Sequence, residues 1–395
     1  VYLTLFVHRQ DLFEIAERWF CGRPRRTDAL RLTQILICDG FIVGVTLESI
    51  ARSFLPIVYE RTFYEKRIRT KGELRDAICL CTSDVTPRVL ELCRRYQETP
   101  DFYYREAPIN GVMCVDEHDQ LLGLYRIKRP KRIAEKANRH FAAWLFKAVQ
   151  NKARRMAEDR AQEWGIPIEY LVTPEKEMEK EFVEAERSIA RSFLDGRIEF
   201  DRAPLTINDV GGIKVLGEPE KVARLESFLE SHPNIRIVER EELRGHYQAT
   251  NLILDVEWDP ELVCRRYRDS RSWENYLNRG IPEDTLKEGL EPLIENAAPT
   301  ICIELILSTF PDMVESELGN SIHEERIIQQ RDNREYKGCL PMNVEFLLEY
   351  LFSVGFSPEV DIEPPTIKLW GRYLPDTLVS QIRRLYRLPE YDFFY

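Results

Sequence analysis

Apolar positions recur at two different periods along this chain. In the first hundred residues they follow helical spacing, as in "DLFEIAERWF" (11–20) and "TPRVLELCRRY" (86–96). Thr86 followed by Pro87 is an N-cap with proline at the first helical position. Residues 32–51 are apolar enough to consider a membrane span, but Asp39 and Glu48 interrupt them, and the expectation is a buried helix pair with no membrane contact. A proline-rich aromatic joint, "ETPDFYYREAPING", ends this regime. Strand-like runs then form a hairpin, "GVMCV" and "LLGLYRI" around the polar turn "DEHDQ". From 134 to 193 the helical period returns. Beyond it, "TINDVGGIKVLG", "NIRIVE", "HYQATNLILDVEW" and "TICIELIL" read as strands, alternating with helices at 218–232 and 310–327 and with a charged helical stretch at 260–296. A last helix is expected at 375–388. Strands that alternate with helices between helical flanks predict an α+β chain, with α/β as the neighbouring class.

Composition adjusts this picture little. The 395 residues suffice for two or three domains, and 44% hydrophobic content supplies a core. Nine cysteines occur without a CxxC pair, which predicts reduced thiols in a cytoplasmic protein, with neither a disulfide framework nor a zinc site. His8, His140 and His232 show no metal-ligand spacing. There is no signal-peptide pattern, Walker A motif or GxGxxG. "AAWLFKAVQ" reads as core and the terminal "EYDFFY" as a docking or interface surface, which allows for a homo-oligomer.

Charge is more informative. The formal net charge is −11, yet "RIKRPKRIAEK" (126–136) sets six basic residues into eleven. Pro130 fits a helix start, and Lys128, Arg132 and Lys136 follow at intervals of four, beside Arg126 at the end of the preceding strand. Cations and free N–H groups at a helix N-terminus suit phosphates, although a solvated basic helix face would carry the same signature. Two carboxylates also stand out. Glu304 lies in an apolar strand, where it needs a partner or a metal, and Asp209 precedes the glycine pair of "DVGGIKV". Two acids on neighbouring strands beside a cationic helix start would suit a magnesium nucleotide; a Glu–Arg core pair and a turn-capping Asp would explain the same residues.

Together these pieces resemble the RelA/SpoT family of nucleotide pyrophosphokinases, the (p)ppGpp alarmone synthetases. The family's R-x-K-x-x-x-S-I-x-x-K element is matched by Arg126, Lys128, Ile133 and Lys136, with Arg132 in place of serine. Its D-x-x-G-I-R-I strand is matched by Asp209, Gly212 and Ile213, with Lys214 in place of arginine. Its G-Y-Q-S-L-H-T strand resembles "HYQATNL", which keeps Tyr247 and Gln248. Its E-x-Q-I-R-T strand and the following helix are matched by Glu304, Thr309, Glu317, Gly319 and His323. The resemblance spans about 111–325, interrupted by a long helical insertion.

It implies a nucleotidyltransferase-like mixed β-sheet with flanking helices at about 109–325, carrying the insertion at about 140–203. A helical N-terminal domain (1–108) would precede it and an accessory segment (326–395) would follow. The resemblance also implies ATP at Arg126, Lys128, Arg132 and Lys136, Mg²⁺ on Asp209 and Glu304, and Glu304 as the base. Lys214, Tyr247, Gln248 and His323 would face the acceptor. The implied reaction moves the ATP β,γ-pyrophosphate to a ribose 3′-hydroxyl, GTP or GDP being the expected acceptor. Gly245, Asn251 and Ser308 replace the family's acceptor-side Asn, His and Arg. Two further readings therefore stand beside the synthetase: a nucleotide- or alarmone-binding regulator without turnover, and a toxin that pyrophosphorylates the 3′ end of tRNA. No HD-x-x-E-D hydrolase signature occurs, and His118-Asp119 reads as a hairpin turn.

Overall fold

The computed structural model describes residues 1–319, 325, 339–363 and 365–388. In chain order the strands are β1 (Tyr2–Leu3), β2 (Tyr64–Thr70), β3 (Pro108–Val115), β4 (Leu121–Ile127), β5 (Thr206–Ile207), β6 (Gly211–Leu216), β7 (Ile235–Arg244), β8 (Gln248–Glu257) and β9 (Thr300–Ser308). The helices include α1 (Arg9–Phe20), α2 (Asp28–Val58), α3 (Lys71–Leu80), α4 (Pro87–Glu98), α5 (Pro130–Glu163), α6 (Glu175–Leu194) and α7 (Pro219–Ser231). They continue with α8 (Pro260–Asp269), the short α9 (Glu283–Glu288) and α10 (Glu291–Ile294), and α11 (Phe310–Leu318). Helices at Cys339–Val354 and Pro375–Leu385 complete the described chain. The class is mixed α+β.

Seven strands form one mixed sheet in the order β2-β3-β4-β6-β9-β8-β7. Only β6 and β9 run parallel; every other pair is antiparallel. The expected hairpin is β3–β4. Its turn is closed by Asp116, whose carboxylate accepts from the backbone N–H groups of His118 and Gln120, both at 2.9 Å. Along β9 the period of two is strict: Ile301, Ile303, Leu305 and Leu307 are buried, while Cys302, Glu304 and Ile306 point to the other face. The buried face packs under α2 and α7. The opposite face is covered at one end by α3, α4 and α11, through Leu74, Ile78, Leu92 and Met313 against Met113 and Leu124. The rest of that face opens into a cleft beside α5.

Several expectations change. Residues 32–51 lie in one continuous helix, because no proline interrupts α2 until Pro56 in its last turn. By length and composition α2 could cross a membrane. Here, however, Leu32, Ile35, Cys38 and Ile42 share a core with Ile213 and Leu305 of the sheet. The segment expected as a helical unit over 1–108 also supplies β2, the edge strand, and β1, which pairs with β5. The pattern of β2, "YEKRIRT", buries only Ile68, so its strand period carried almost no apolar signal. The insertion is built from the far half of α5 and from α6. It packs through Phe141, Leu145 and Phe193 into the main core, as does the helix Cys339–Val354. The "EYDFFY" terminus lies outside the described residues.

Candidate functional site

The cross-strand register assembles the cleft. One row runs Gly111–Arg126–Gly212–Glu304–Ile253 across β3, β4, β6, β9 and β8. The next runs Met113–Leu124–Lys214–Ile306–Asn251. Paired residues share a face, so Arg126, Lys214, Glu304 and Asn251 project into the same space. Gly212 is required there, since a Cβ would overlap the Glu304 carbonyl oxygen on the adjacent parallel strand.

Asp209 enters from the loop before β6. β1 holds that loop in place: Thr4 Oγ1 lies 3.0 Å from both the Ile207 carbonyl and Asn208 Oδ1. The start of α5 is tied to the same segment by the Lys128 N–H, which donates to the Val210 carbonyl at 2.8 Å. Asp209 Oδ2 receives Lys128 Nζ at 3.0 Å and Lys136 Nζ in a shorter contact. Burial pushes the Asp209 carboxyl up, but the two lysines more than offset it and hold the group at about 2. Its Oδ1 is buried with no partner among the described residues. Glu304 forms no ion pair there, and its Oε1 accepts from Asn251 Nδ2 at 3.2 Å. Burial lowers the Lys128 ammonium, against the pull of Asp209 and Glu304.

Beyond Lys214 lies a second charged cluster that sequence reasoning missed except for one matched position. Glu317 of α11 is buried and pairs with Lys71 at 2.8 Å and with Arg75 at 3.6 Å, both from α3. Burial opposes its ionisation, but Lys71, Arg75, Lys214 and Arg126 drive the Glu317 carboxyl well below the usual range. Removal from water lowers Lys214 to about 8, partly restored by Glu317. Lys71 and Arg75 stand in a segment that read as a remote helical domain, so nothing in the sequence joined them to the site.

Three cavities meet at Asp209. A narrow one of about 20 Å³ is bounded by Arg126, Lys214, Glu304 and Glu317. A groove of about 1050 Å³ follows α5, with Lys128, Arg132, Lys136, Arg139 and Lys147 above Trp144 and Ala143. A third, of about 280 Å³, lies between Lys136 and the strands β7 and β8. The structure thus brings together Arg126, Lys128, Arg132, Lys136, Asp209, Lys214 and Glu304. Arg132 also pairs with Glu135 one turn away.

Tyr247 and Gln248 are not part of this group. Tyr247 sits half-buried in the β7–β8 turn, and the Gln248 N–H donates to Asp312 Oδ1 at 2.8 Å. Glu304 pairs with Ile253, five residues further on, roughly 17 Å of strand away. Neither residue lines the three cavities. Ser308 is buried at the end of β9, and Thr309 caps α11, accepting from the Asp312 N–H at 3.3 Å. His323 lies outside the described residues.

A separate group of possible metal ligands, His8, Cys38 and Asp39, is buried beneath α1 and α2. Sequence spacing gave no hint of it, because α2 brings Asp39 back to His8 from 31 residues away. His8 Nδ1 lies 2.5 Å from Asp39 Oδ1 and Nε2 lies 2.6 Å from the Leu293 carbonyl. Both ring nitrogens therefore face acceptors, which fits a charged imidazolium in a structural pair better than a ligand with a free lone pair. Burial opposes that charge, but the Asp39 contact outweighs it and His8 is raised.

No family model, curated protein or solved structure matches this chain.

Proposed function

We propose that this protein is an ATP-dependent transferase of the RelA/SpoT pyrophosphokinase type, moving the β,γ-pyrophosphate of ATP to a hydroxyl of a second substrate on a nucleotidyltransferase-like sheet. The observation that carries the reading is the convergence of Asp209 and Glu304 on one face, directly beside Arg126, Lys128 and Lys136 where α5 begins. The basic groove has the volume and sign for a triphosphate, with Trp144 and Ala143 as an apolar floor for the base.

In this mechanism the donor phosphates lie against Lys128 and Lys136, which exchange the Asp209 carboxylate for phosphate oxygens, with Arg126 alongside. The acceptor hydroxyl gives its proton to Glu304, and Asn251 orients that carboxylate through its amide. The acceptor oxygen forms a bond to the β-phosphorus as the bond from that phosphorus to the α,β-bridging oxygen breaks, and AMP leaves with the bridging oxygen. The residues fit Mg²⁺: among the described residues Asp209 Oδ1 is an unpartnered buried oxygen and Glu304 is held by the Asn251 amide and by no cation, and hard carboxylate oxygens are the donors this ion takes. When bound by Asp209 and Glu304, the ion supplies charge neutralisation at the phosphate oxygens.

The test is label transfer from γ-labelled ATP by wild type and Glu304→Gln. Transfer by wild type alone supports the reading. ATP binding without transfer by either favours a second one, a nucleotide-binding regulator. That alternative draws on the saturation of Asp209 Oδ2 by two lysines and on the substitutions at Gly245, Asn251 and Ser308.

A further inference from the structure

The second substrate can be characterised from the wall that faces α5. Strand β7 contains a bulge. Ile235 and Ile237 pair with Val256 and Leu254 in one register, and Glu239 and Glu241 pair with Ile253 and Asn251 in a register shifted by one. Val238 is the extra residue and is half exposed. Because side chains alternate, this single insertion reverses the faces of everything after it. Without it, Glu239 and Glu241 would share the face of Ile235 and Ile237. With it they extend the rows of Glu304 and Asn251 into the cleft. Arg240 goes to the opposite face, where it meets Glu226 of α7 at 3.3 Å. Neither Glu239 nor Glu241 has an ion-pair partner among the described residues.

The cleft is therefore divided by charge. The groove along α5 presents five cations against Asp201 and Asp209. The cavity over β7 and β8 presents Asp209, Glu239, Glu241 and Glu304 against Lys136, beside His140, which burial keeps toward its neutral form. The cations at the far end, Arg126 and Lys214, bound a cavity of only about 20 Å³, too small for a polyphosphate chain. Of the two cavities that Glu304 lines among the described residues, the acidic one is the larger, and it is where a second substrate would bring its hydroxyl to Glu304.

We propose that the acceptor is a phosphate-free, hydroxyl-bearing compound that carries positive charge, such as an amino sugar or aminonucleoside, and that Glu239 and Glu241 select it. This rests on the proposed transfer from ATP. Carboxylates on β7 stand about two strand spacings from Glu304, roughly 10 Å, within reach of an amine on a substrate of that size. Both are exposed, so each discriminates between a nearby ammonium and a phosphate by only a few-fold, and the two together by about tenfold.

The experiment measures label transfer from γ-labelled ATP to two matched pairs, GTP against 5′-amino-5′-deoxyguanosine and glucosamine 6-phosphate against glucosamine. Wild type is compared with Glu239→Gln/Glu241→Gln, and ATP binding is followed by calorimetry. The expected result is about a tenfold preference for the phosphate-free amine in one pair, reduced about tenfold in the double variant, with ATP affinity unchanged. Preference for the phosphorylated members, transfer to none of the four, or an unaltered preference in the double variant overturns the proposal. So does a changed Mg²⁺ requirement in that variant with the preference unaltered, which would make the two acids a cation site. Failure to bind ATP is a separate result: it removes the transferase reading, and this proposal falls with it.

Discussion

Replacing Asp209 with asparagine should weaken the fold and strengthen anion binding at once. The wild-type carboxyl is held at about 2 against an ordinary 3.8, a depression worth about 2 kcal/mol of folding free energy at 1.36 kcal/mol per unit. Its side chain is 23% exposed, so solvent screening removes little of this. A depressed carboxyl stabilises the fold above its unfolded value and stops doing so as pH falls through the folded one. The difference in unfolding free energy between wild type and Asp209→Asn should thus be about 2 kcal/mol at pH 6 and shrink between about pH 4 and pH 2. Denaturant titrations across that range measure it. The same change frees Lys128 and Lys136 from their shared partner, so ATP in metal-free buffer should bind several-fold more tightly to the variant. Equal stability at pH 6, or weaker ATP binding by a folded variant, would refute the account of Asp209 as the counter-ion of both lysines.

Glu304→Gln should keep the fold and the Asn251 contact while lowering transfer at least a hundredfold, because an amide cannot accept the acceptor proton; single-turnover label transfer and far-UV circular dichroism check both parts. Gly212→Ala should cost about 3 kcal/mol or more, since its methyl overlaps the Glu304 backbone and must part β6 from β9; thermal unfolding reads the loss. His8→Gln should destabilise by about 3–5 kcal/mol at pH 6 by leaving Asp39 buried and unpaired. Because His8 is raised, its contribution is complete below about 6.5 and fades as pH rises through the folded value. A gap between wild type and variant that widens toward alkaline pH would reject that sign.

The strands of the sheet's centre were legible because their alternation is clean: β9 buries every second residue, and the pair β3–β4 is bounded by a polar turn. Edge strand β2 was not, since a charged strand with one buried isoleucine looks like a loop. The acids and the lysines of α5 could be found from isolated charge in an apolar strand and from clustered charge at a proline-marked helix start. Lys71, Arg75 and Glu317 could not be joined, as their contacts span 246 and 242 residues and only the tertiary fold brings α3 to α11. Tyr247 lies away from Glu304 because a motif gives order along the chain but not which residues pair across strands. The β7 bulge left no trace in composition, and a one-residue slip is what turned Glu239 and Glu241 toward the cleft.

The internal pairing of the basic segment bears on what it can bind. Lys128 and Lys136 share one carboxylate, Arg132 holds Glu135, and Lys131 lies 3.5 Å from Glu349. In a chain of net charge −11, these pairs keep the groove from acting as an open anion sink. A singly charged anion gains little by displacing Asp209, because it offers the two lysines no more charge than the carboxylate it replaces. A triphosphate brings several charges and enough oxygens to meet both lysines and a further cation of the groove, such as Arg132, together, so its advantage grows with each phosphate. Affinity should therefore rise steeply from AMP to ADP to ATP in metal-free buffer. A flat series measured by calorimetry would mean that the base, and not the phosphate chain, is what the groove recognises.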